Sequence, residues 1–351
     1  MDSRKLPSPR TVQTSSMIYF SDHNCSRHHF RILPFVFFCF FLLLLPAAMA
    51  ADKTGSPSPI ILGIPGNISK YKKLPFDSDL ERTNRTVKKR ISARSAIVID
   101  PVGNRTLFAK APDMPRQPAS TIKILTGTIA LQSLIGEEDV PVSHEAASRP
   151  SSKMYLDPKR SYFADDLISG VLLASANDAS VALAELIAGD EAAFAQQMTL
   201  QAEIWGASNT VCKTATGLTA KGQTSTARDL ALILKHAMLN EEFSSRIRKR
   251  AMETKDGDKF YNHNKALWQI TGTEGGKTGY TNAARQTYVG KFKRGEAEII
   301  VAIMGSETMW SDLKYLVGYG FKQFQYIPAT PADKNNLLAG GVTASHGSNT
   351  L

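Results

Sequence analysis

The chain has 351 residues and a formal net charge of +10 at pH 7. Such an excess of cations suits nucleic acid, an anionic cell-wall polymer or a membrane surface. No nucleic-acid-binding motif accompanies the charge, and the seven histidines show no H-E-x-x-H or similar spacing. We therefore expect no nucleic-acid partner, no metal and no cofactor.

Residues 1–50 have the pattern of a secretory signal. A basic flank precedes the apolar run 32–45, and small residues of the A-x-A type follow at 48–50. The run is too short for a comfortable membrane span. We predict export to the periplasm or cell envelope, with Met17 as an alternative start. An uncleaved signal that holds the protein at the membrane is the competing interpretation.

Cysteine usage agrees with export. Cys25 and Cys39 leave with the signal, so Cys212 is the only cysteine of the mature chain and no internal disulfide can form. No catalytic motif surrounds Cys212. We predict a small, half-buried packing residue rather than a nucleophile.

Composition divides the rest of the chain into three parts. Residues 51–91 are predicted to be a flexible linker, because Ser-Pro repeats at one end and a basic run at the other enclose a stretch without sustained periodicity. Residues 329–351 are small and polar, and are predicted to be a disordered tail. One catalytic domain is expected between them, over residues 92–328.

The predicted elements of this domain alternate between strands and helices. In chain order they are strands over 96–100 and 105–109, helices after Pro118 and over 165–174, 179–188, 191–205 and 227–239, strands over 276–281, 286–293 and 297–304, and a helix over 309–324. This order predicts an α+β fold in which the first and last segments share one antiparallel sheet. The helical block would pack against that sheet, with the site between them.

Three short motifs stand in one order along the domain. They are S-x-x-K at 120–123, S-x-N at 175–177 and K-T-G at 277–279. Each supplies one part of an acyl-transfer site: a nucleophile with a nearby amine, a proton-relay pair and a cationic strand. Matches at 69–72 and 53–55 lie in the predicted linker, in the wrong order and without an S-x-N between them. We treat those two as chance.

The ordered set resembles the penicillin-interacting serine D,D-peptidases and the serine β-lactamases, and more closely the low-molecular-mass D-alanyl-D-alanine carboxypeptidases. The likeness covers roughly residues 92–328. Supporting runs lie at 93–100, 118–123, 175–179 and 225–230. The resemblance implies a β-lactamase/D,D-peptidase-like fold, peptidoglycan stem peptides as substrate, no cofactor, and β-lactams as covalent inhibitors.

The residues and the resemblance together suggest roles for the site. Ser120 would begin a helix, where unpaired backbone N–H groups favour developing negative charge, and Lys123 lies one turn later on the same face. Lys123 can act as base when burial and a second cation lower its pKa. By resemblance, the catalytic residues are Ser120, Lys123, Ser175 and Asn177, and the substrate-binding residues are Lys277, Thr278, Gly279 and Tyr280. The backbone N–H groups of Ser120 and Tyr280 would form the oxyanion hole.

One position departs from the family pattern. Members often carry an arginine in a Met-Gly-Gly-Arg run after the K-T-G strand, where it helps to bind the terminal carboxylate. Here the run at 304–307 ends in Glu307, which would repel that anion. Arg285 is a candidate substitute. A D,D-endopeptidase acting on cross-links needs no free carboxylate on that side, and it remains an alternative.

Two further alternatives stay open. A class A β-lactamase would need a glutamate that assists deacylation, and no glutamate–asparagine loop motif lies between Asn177 and Lys277, where Glu203 is followed by Ile204. A non-catalytic peptidoglycan-binding protein could keep the fold. Intact Ser120 and Lys123 argue against it, since a binding protein needs neither.

Overall fold

The structure, a computed structural model, describes residues 71–72 and 78–326. The predicted signal and the predicted tail lie outside the described residues. The strands are β1 Tyr71–Lys72, β2 Ser95–Asp100, β3 Arg105–Lys110, β4 Asp139–Pro141, β5 Ser161–Phe163, β6 Ala251–Glu253, β7 Lys259–Tyr261, β8 Thr273–Thr281, β9 Arg285–Arg294, β10 Ala297–Ser306 and β11 Gln325–Tyr326. The helices are α1 Ser78–Arg90, α2 Lys123–Ser133, α3 His144–Ser148, α4 Ala164–Ser169, α5 Asn177–Ala188, α6 Glu191–Ile204, α7 Ala227–Ala237, α8 Glu241–Ile247, α9 Ala266–Gln269 and α10 Met309–Lys322.

A five-stranded antiparallel sheet in the order β3-β2-β10-β9-β8 forms the centre of the fold. Strand β2, from the beginning of the domain, pairs with β10, from its end, with Val98 opposite Val301. Strand β8 lies at one edge of this sheet. The predicted α+β architecture, with one sheet built from both ends of the domain, is confirmed.

Each face of the sheet has its own hydrophobic core, because neighbouring residues of a strand point to opposite faces. Ile97 and Ile300 pack with the helical block between β3 and β8. Val98 and Val301 pack on the other face with α10 and the end of α1. The helical block and α10 therefore cover opposite faces of the sheet.

Helix boundaries follow the capping residues. The side chain of Asp190 accepts a hydrogen bond from Ala193 N at the start of α6, and Thr226 accepts one from Asp229 N at the start of α7. Such caps satisfy backbone donors that have no partner inside the helix. The predicted helices over 191–205 and 227–239 begin at these caps. Within residues 71–72 and 78–326, no helix has the length and apolar character needed to cross a bilayer.

The predicted linker ends earlier than expected. Its last part, Ser78–Arg90, forms α1, with Val87 and then Ile91 buried in the core beneath α10. The hydroxyl of Tyr319 also donates to Asn84 Oδ1 at 2.9 Å. The helix is polar on most sides, and one or two apolar contacts anchor it. Only two of its thirteen residues are apolar, which is why the sequence alone did not indicate this helix.

Candidate active site

The three motifs meet in a cleft of about 420 Å³ between β8 and the helical block. Six of the eight predicted site residues line it: Ser120, Ser175, Asn177, Thr278, Gly279 and Tyr280. The other two, Lys123 and Lys277, are buried beneath them. The structure thus brings together residues that lie more than 150 positions apart in the sequence.

Ser120 lies in the 3-10 helix Ala119–Ile122, one turn before α2 begins. Two threonine hydroxyls fix this turn: Thr121 Oγ1 donates to the carbonyl of Pro118 at 2.6 Å, and Thr287 Oγ1 donates to the same oxygen at 3.0 Å. Thr287 belongs to β9. The turn that contains Ser120 is therefore tied to the sheet as well as to its own helix.

Lys123 is fully buried, and its Nζ lies 3.1 Å from Ser120 Oγ. The same Nζ donates to Asn177 Oδ1 at 2.7 Å and to the carbonyl of Thr216 at 2.5 Å. Burial, and then the charge of Lys277, lower the pKa of Lys123 well below its ordinary value. A buried amine that loses its proton easily, within hydrogen-bond reach of a serine hydroxyl, is equipped to act as a general base.

Thr216 was missed by the sequence analysis. It contributes a backbone carbonyl, which leaves no trace in residue type. Gly217, the next residue, has φ +76°, and a Cβ there would come within 2.1 Å of the Ala119 carbonyl oxygen. The only sequence signal is therefore a glycine that allows this segment to approach the turn of the nucleophile.

Ser175 and Asn177 sit at a distorted junction between two helices. The predicted helix over 165–174 is α4 followed by a π-helical turn, Gly170–Ala174, which ends at Ser175 in the left-handed conformation with φ 62°. The Asn177 side-chain amide donates to the Pro150 carbonyl at 2.8 Å, so its oxygen faces Lys123. The non-helical residue places the Ser175 hydroxyl in the cleft, where a continuous helix would not.

Lys277 is buried on β8, and its Nζ donates to Ser175 Oγ at 2.8 Å and to the Thr278 carbonyl at 3.2 Å. Burial lowers the pKa of Lys277 to about 7. Thr278 is half-buried, and the Tyr280 side chain is exposed. Because β8 is the edge strand, an extended peptide can add alongside it as a further strand.

His263 also lines the cleft and was missed by the sequence analysis. Its backbone N–H donates to the Leu173 carbonyl at 3.1 Å, which holds its loop against the π-helical turn. Partial burial, and then the charges of Lys277 and Lys123, lower the pKa of His263 to about 4. The imidazole is therefore neutral near pH 7, and it adds no third positive charge to the site.

Arg285 and Glu307 form an ion pair near the end of β8. Nε of Arg285 lies 3.0 Å from Oε1 of Glu307, and Nη2 lies 2.5 Å from Oε2, with both side chains exposed. This bond with Arg285 lowers the pKa of the Glu307 carboxyl. The negative charge of Glu307, at the position where family members often carry an arginine, is thus compensated by Arg285. Arg285, the candidate for binding the terminal carboxylate, is in turn held by Glu307.

Cys212 is buried more deeply than predicted, with a side chain only 3% exposed. Burial raises the pKa of its thiol to about 12. The thiol is therefore protonated near neutral pH and unreactive, as expected of a packing residue.

Comparisons with known proteins place this site in a family. The D-alanyl-D-alanine carboxypeptidase family profile matches residues 82–308. D-alanyl-D-alanine carboxypeptidase DacB2 of Mycobacterium tuberculosis is 34% identical over 240 residues, which are 65% of this chain and 82% of the relative. D-alanyl-D-alanine carboxypeptidase DacF of Bacillus subtilis is 30% identical over 257 residues, 70% of this chain and 66% of the relative.

A solved structure supports the same placement. Penicillin-binding protein D2 of Listeria monocytogenes, in its cefotaxime-bound form, is 28% identical, with a TM-score of 0.61 over 66% of this chain and 98% of that chain. The structural similarity and the family profile indicate the same family. The chain belongs to the D-alanyl-D-alanine carboxypeptidase family of serine hydrolases.

Proposed function

We propose that the protein is a serine D,D-carboxypeptidase that removes the terminal D-alanine from peptidoglycan stem peptides through an acyl-enzyme on Ser120. The observation that carries the proposal is the buried Lys123 amine, 3.1 Å from Ser120 Oγ and with a lowered pKa. A serine hydroxyl is a weak nucleophile without an adjacent base. Ser120 and Lys123 supply the nucleophile and the base within one helical turn.

In the first half of the reaction, Ser120 Oγ attacks the carbonyl carbon of the penultimate D-alanine while neutral Lys123 takes the hydroxyl proton. The backbone N–H groups of Ser120 and Tyr280 are proposed to stabilise the oxyanion. The peptide C–N bond then breaks, and the departing D-alanine amine takes a proton through Ser175. The 2.8 Å bond from Lys277 to Ser175 supports this relay, because it orients the serine hydroxyl.

In the second half, water hydrolyses the ester. Lys123 is neutral again once its proton has left with D-alanine, so it can take a proton from the attacking water. Asn177 holds the Lys123 amine in place at 2.7 Å throughout both halves. The shortened stem peptide leaves as its carboxylate, and Ser120 regains its proton.

The environment of the cleft disfavours a β-lactamase. None of the described residues that line it is an aspartate or a glutamate, so this lining offers no carboxylate to hold a deacylating water as in class A enzymes. Glu191, which lies near enough to influence Lys123, is engaged elsewhere: it accepts from Ala215 N at 2.8 Å and from Arg149 at 2.7 Å. β-Lactams are therefore proposed to acylate Ser120 and to leave slowly, as covalent inhibitors.

The preference between carboxypeptidase and endopeptidase depends on the bound pair of Arg285 and Glu307. A D,D-endopeptidase acting on cross-links remains the second candidate, because Glu307 pairs with Arg285 and so engages the candidate arginine for the terminal carboxylate. Action on stem peptides would take place outside the cytoplasm. We propose export to the periplasm or cell envelope by the segment 1–50, with membrane association if that segment is retained, and a role in cell-wall maintenance and cell shape.

Fluorescent-penicillin labelling followed over time tests the function. We expect stable labelling of the protein, none of Ser120→Ala, and full labelling of Ser148→Ala, which removes an exposed hydroxyl elsewhere. Rapid loss of label with antibiotic turnover would indicate a β-lactamase. Absence of label from all three proteins would indicate a non-catalytic peptidoglycan-binding protein.

A further inference from the structure

A groove of about 430 Å³ lies between the end of α1 and the outer side of α10. We call it the α10 groove, and its lining includes Arg90, Ser311, Lys314, Tyr315, Gly318 and Lys322. The inner side of α10 packs on the sheet face opposite the helical block. The groove is therefore separate from the cleft of Ser120, and the proposed acyl-enzyme chemistry does not use it.

The α10 groove is positively charged. Arg90, Lys314 and Lys322 are exposed, and neither lysine pairs with an acid among the residues that the structure describes. The one acid of the lining, Asp312, is buried. Its carboxylate accepts hydrogen bonds from Ser92 N at 3.0 Å and Ser92 Oγ at 2.8 Å, among others. It is thus occupied by its own neighbours and does not neutralise the lysines.

The two lysines face the same side of α10 with an open floor between them. Lys314, Gly318 and Lys322 follow one another at intervals of four residues, which places them on one helix face, with the lysines about 12 Å apart along the axis. A Cβ at Gly318 would meet nothing within 4 Å. Packing therefore does not require glycine here, although glycine weakens a helix interior. Its effect is to keep the space between the lysines open.

Arg90 is held in place from the other side of the groove. Its guanidinium lies over the Tyr315 ring, with 4.6 Å between its carbon and the ring centroid. An arginine stacked on an aromatic ring keeps its N–H donors free in a fixed plane, which suits the oxygens of a phosphate. One arginine stacked on an aromatic ring and two exposed lysines around an open floor are a suitable set of partners for such an anion.

We propose that the α10 groove binds a phosphate-bearing anion, with Arg90 donating to its oxygens and with Lys314 and Lys322 on either side. The same phosphate chemistry is offered by a free phosphate compound and by the headgroup of an anionic phospholipid. The proposal is independent of the acyl-enzyme mechanism, and either can fail without the other.

The test measures binding of two probes to the purified protein. Inorganic phosphate is titrated by calorimetry at constant ionic strength. Co-sedimentation is measured with phosphatidylcholine vesicles that contain or lack phosphatidylglycerol. The variants are Lys314→Gln/Lys322→Gln, which removes the two cations, and Gly318→Leu, which fills the floor. The matched control is Lys213→Gln/Lys249→Gln, which removes two exposed cations elsewhere. Unfolding midpoints without phosphate show that each variant is folded.

We expect binding to weaken about tenfold or more in Lys314→Gln/Lys322→Gln, and to be lost in Gly318→Leu. The control pair should bind as the parent does. Binding of inorganic phosphate identifies a discrete phosphate site, and binding only to vesicles with phosphatidylglycerol identifies the lipid as its source. The proposal is overturned if neither probe binds, or if the control pair weakens binding as much as the groove pair.

Discussion

The ammonium of Lys277 donates to the hydroxyl oxygen of Ser175 at 2.8 Å, in a site where both side chains are buried. Among the described residues, no carboxylate bonds to this ammonium. The charge of Lys277 is therefore stabilised only by a neutral hydroxyl and a carbonyl group, and burial lowers the pKa of Lys277 to about 7. A cation so placed polarises Ser175 and can exchange protons with it, so in the proposed mechanism Ser175 connects the K-T-G strand with the departing amine.

Replacing Ser175 by alanine should remove the proton relay and leave the fold intact. We expect kcat for a D-Ala-D-Ala peptide to fall by about 10²–10⁴-fold, the usual contribution of a positioned proton donor. The left-handed backbone at 175 is no harder for alanine than for serine, but the unfolding midpoint should fall because the buried Lys277 ammonium loses a hydrogen-bond partner. Steady-state kinetics and thermal unfolding check this together. A kcat within twofold of the parent value would remove Ser175 from the mechanism.

The two lysines predict a bell-shaped dependence of kcat/KM on pH. Lys123 must be neutral to accept the Ser120 proton, so the rate should rise with pH through a pKa well below the ordinary lysine value of 10.5. Lys277 attracts an anionic substrate only while charged, so activity should fall as pH rises past about 7. His263 adds no limb in this range, because its pKa is about 4.

Lys277→Arg separates the two limbs of that profile. Arginine keeps its charge throughout, so the alkaline limb should disappear. The acid limb should stay, or move to lower pH, because a permanent neighbouring cation disfavours the charged form of Lys123. An acid limb with its midpoint near 10.5 would contradict the lowered pKa of Lys123, on which its role as the base depends.

The residues that meet in the cleft were largely predictable, because the three motifs are recognised by the types and spacing of their residues. Ser120, Lys123 and Lys277 have the residue types that acyl transfer needs. The predicted fold, with one sheet built from both ends of the domain, also placed the site between that sheet and the helical block. The carbonyl of Thr216 was not predictable, since any residue supplies one. His263 was not predictable either, because only the folded chain brings its loop beside the π-helical turn.

Two differences in the fold have the same kind of cause. The sequence around 165–174 has a helical pattern throughout, and the change to a π-helical turn before Ser175 comes from backbone hydrogen bonding that apolar spacing does not record. Helix α1 was not predicted because only two of its thirteen residues are apolar, and it is one of these, Val87, that joins the buried core with residues of α10. At the π-helical turn the backbone N–H of His263 also bonds to the Leu173 carbonyl, so a contact from outside the segment acts on each of these two elements.

The pair of Arg285 and Glu307 predicts how the enzyme distinguishes substrate ends. Glu307→Gln should release the Arg285 guanidinium, so KM should fall severalfold for a peptide ending in a free carboxylate. Arg285→Gln should raise that KM. The same peptide with a C-terminal amide is the matched control, and neither variant should change its KM. Equal effects on both peptides would show that the pair serves stability rather than recognition of the carboxylate.

Gly279 sits against the turn of the nucleophile, and this contact predicts that Gly279→Ala slows acylation. A Cβ at Gly279 would lie 2.8 Å from Ser120 N, 2.5 Å from Thr287 Oγ1 and 3.0 Å from Ala119 Cβ. These atoms belong to Ser120 and to the residues that fix its turn, so the added methyl group must change the position of Ser120 relative to β8. Displacement of a reacting group by about 1 Å costs on the order of 10²-fold in rate, and penicillin acylation should fall by that amount.

Gly295→Ala is the control for this last variant. Gly295 has φ +58° with nothing within 4 Å of an added Cβ, so alanine there strains the backbone without touching the site. It should lower the unfolding midpoint slightly and leave the acylation rate unchanged. If Gly279→Ala acylates as fast as the parent, the turn of Ser120 tolerates movement, and the close contact between β8 and the nucleophile is not what sets the rate.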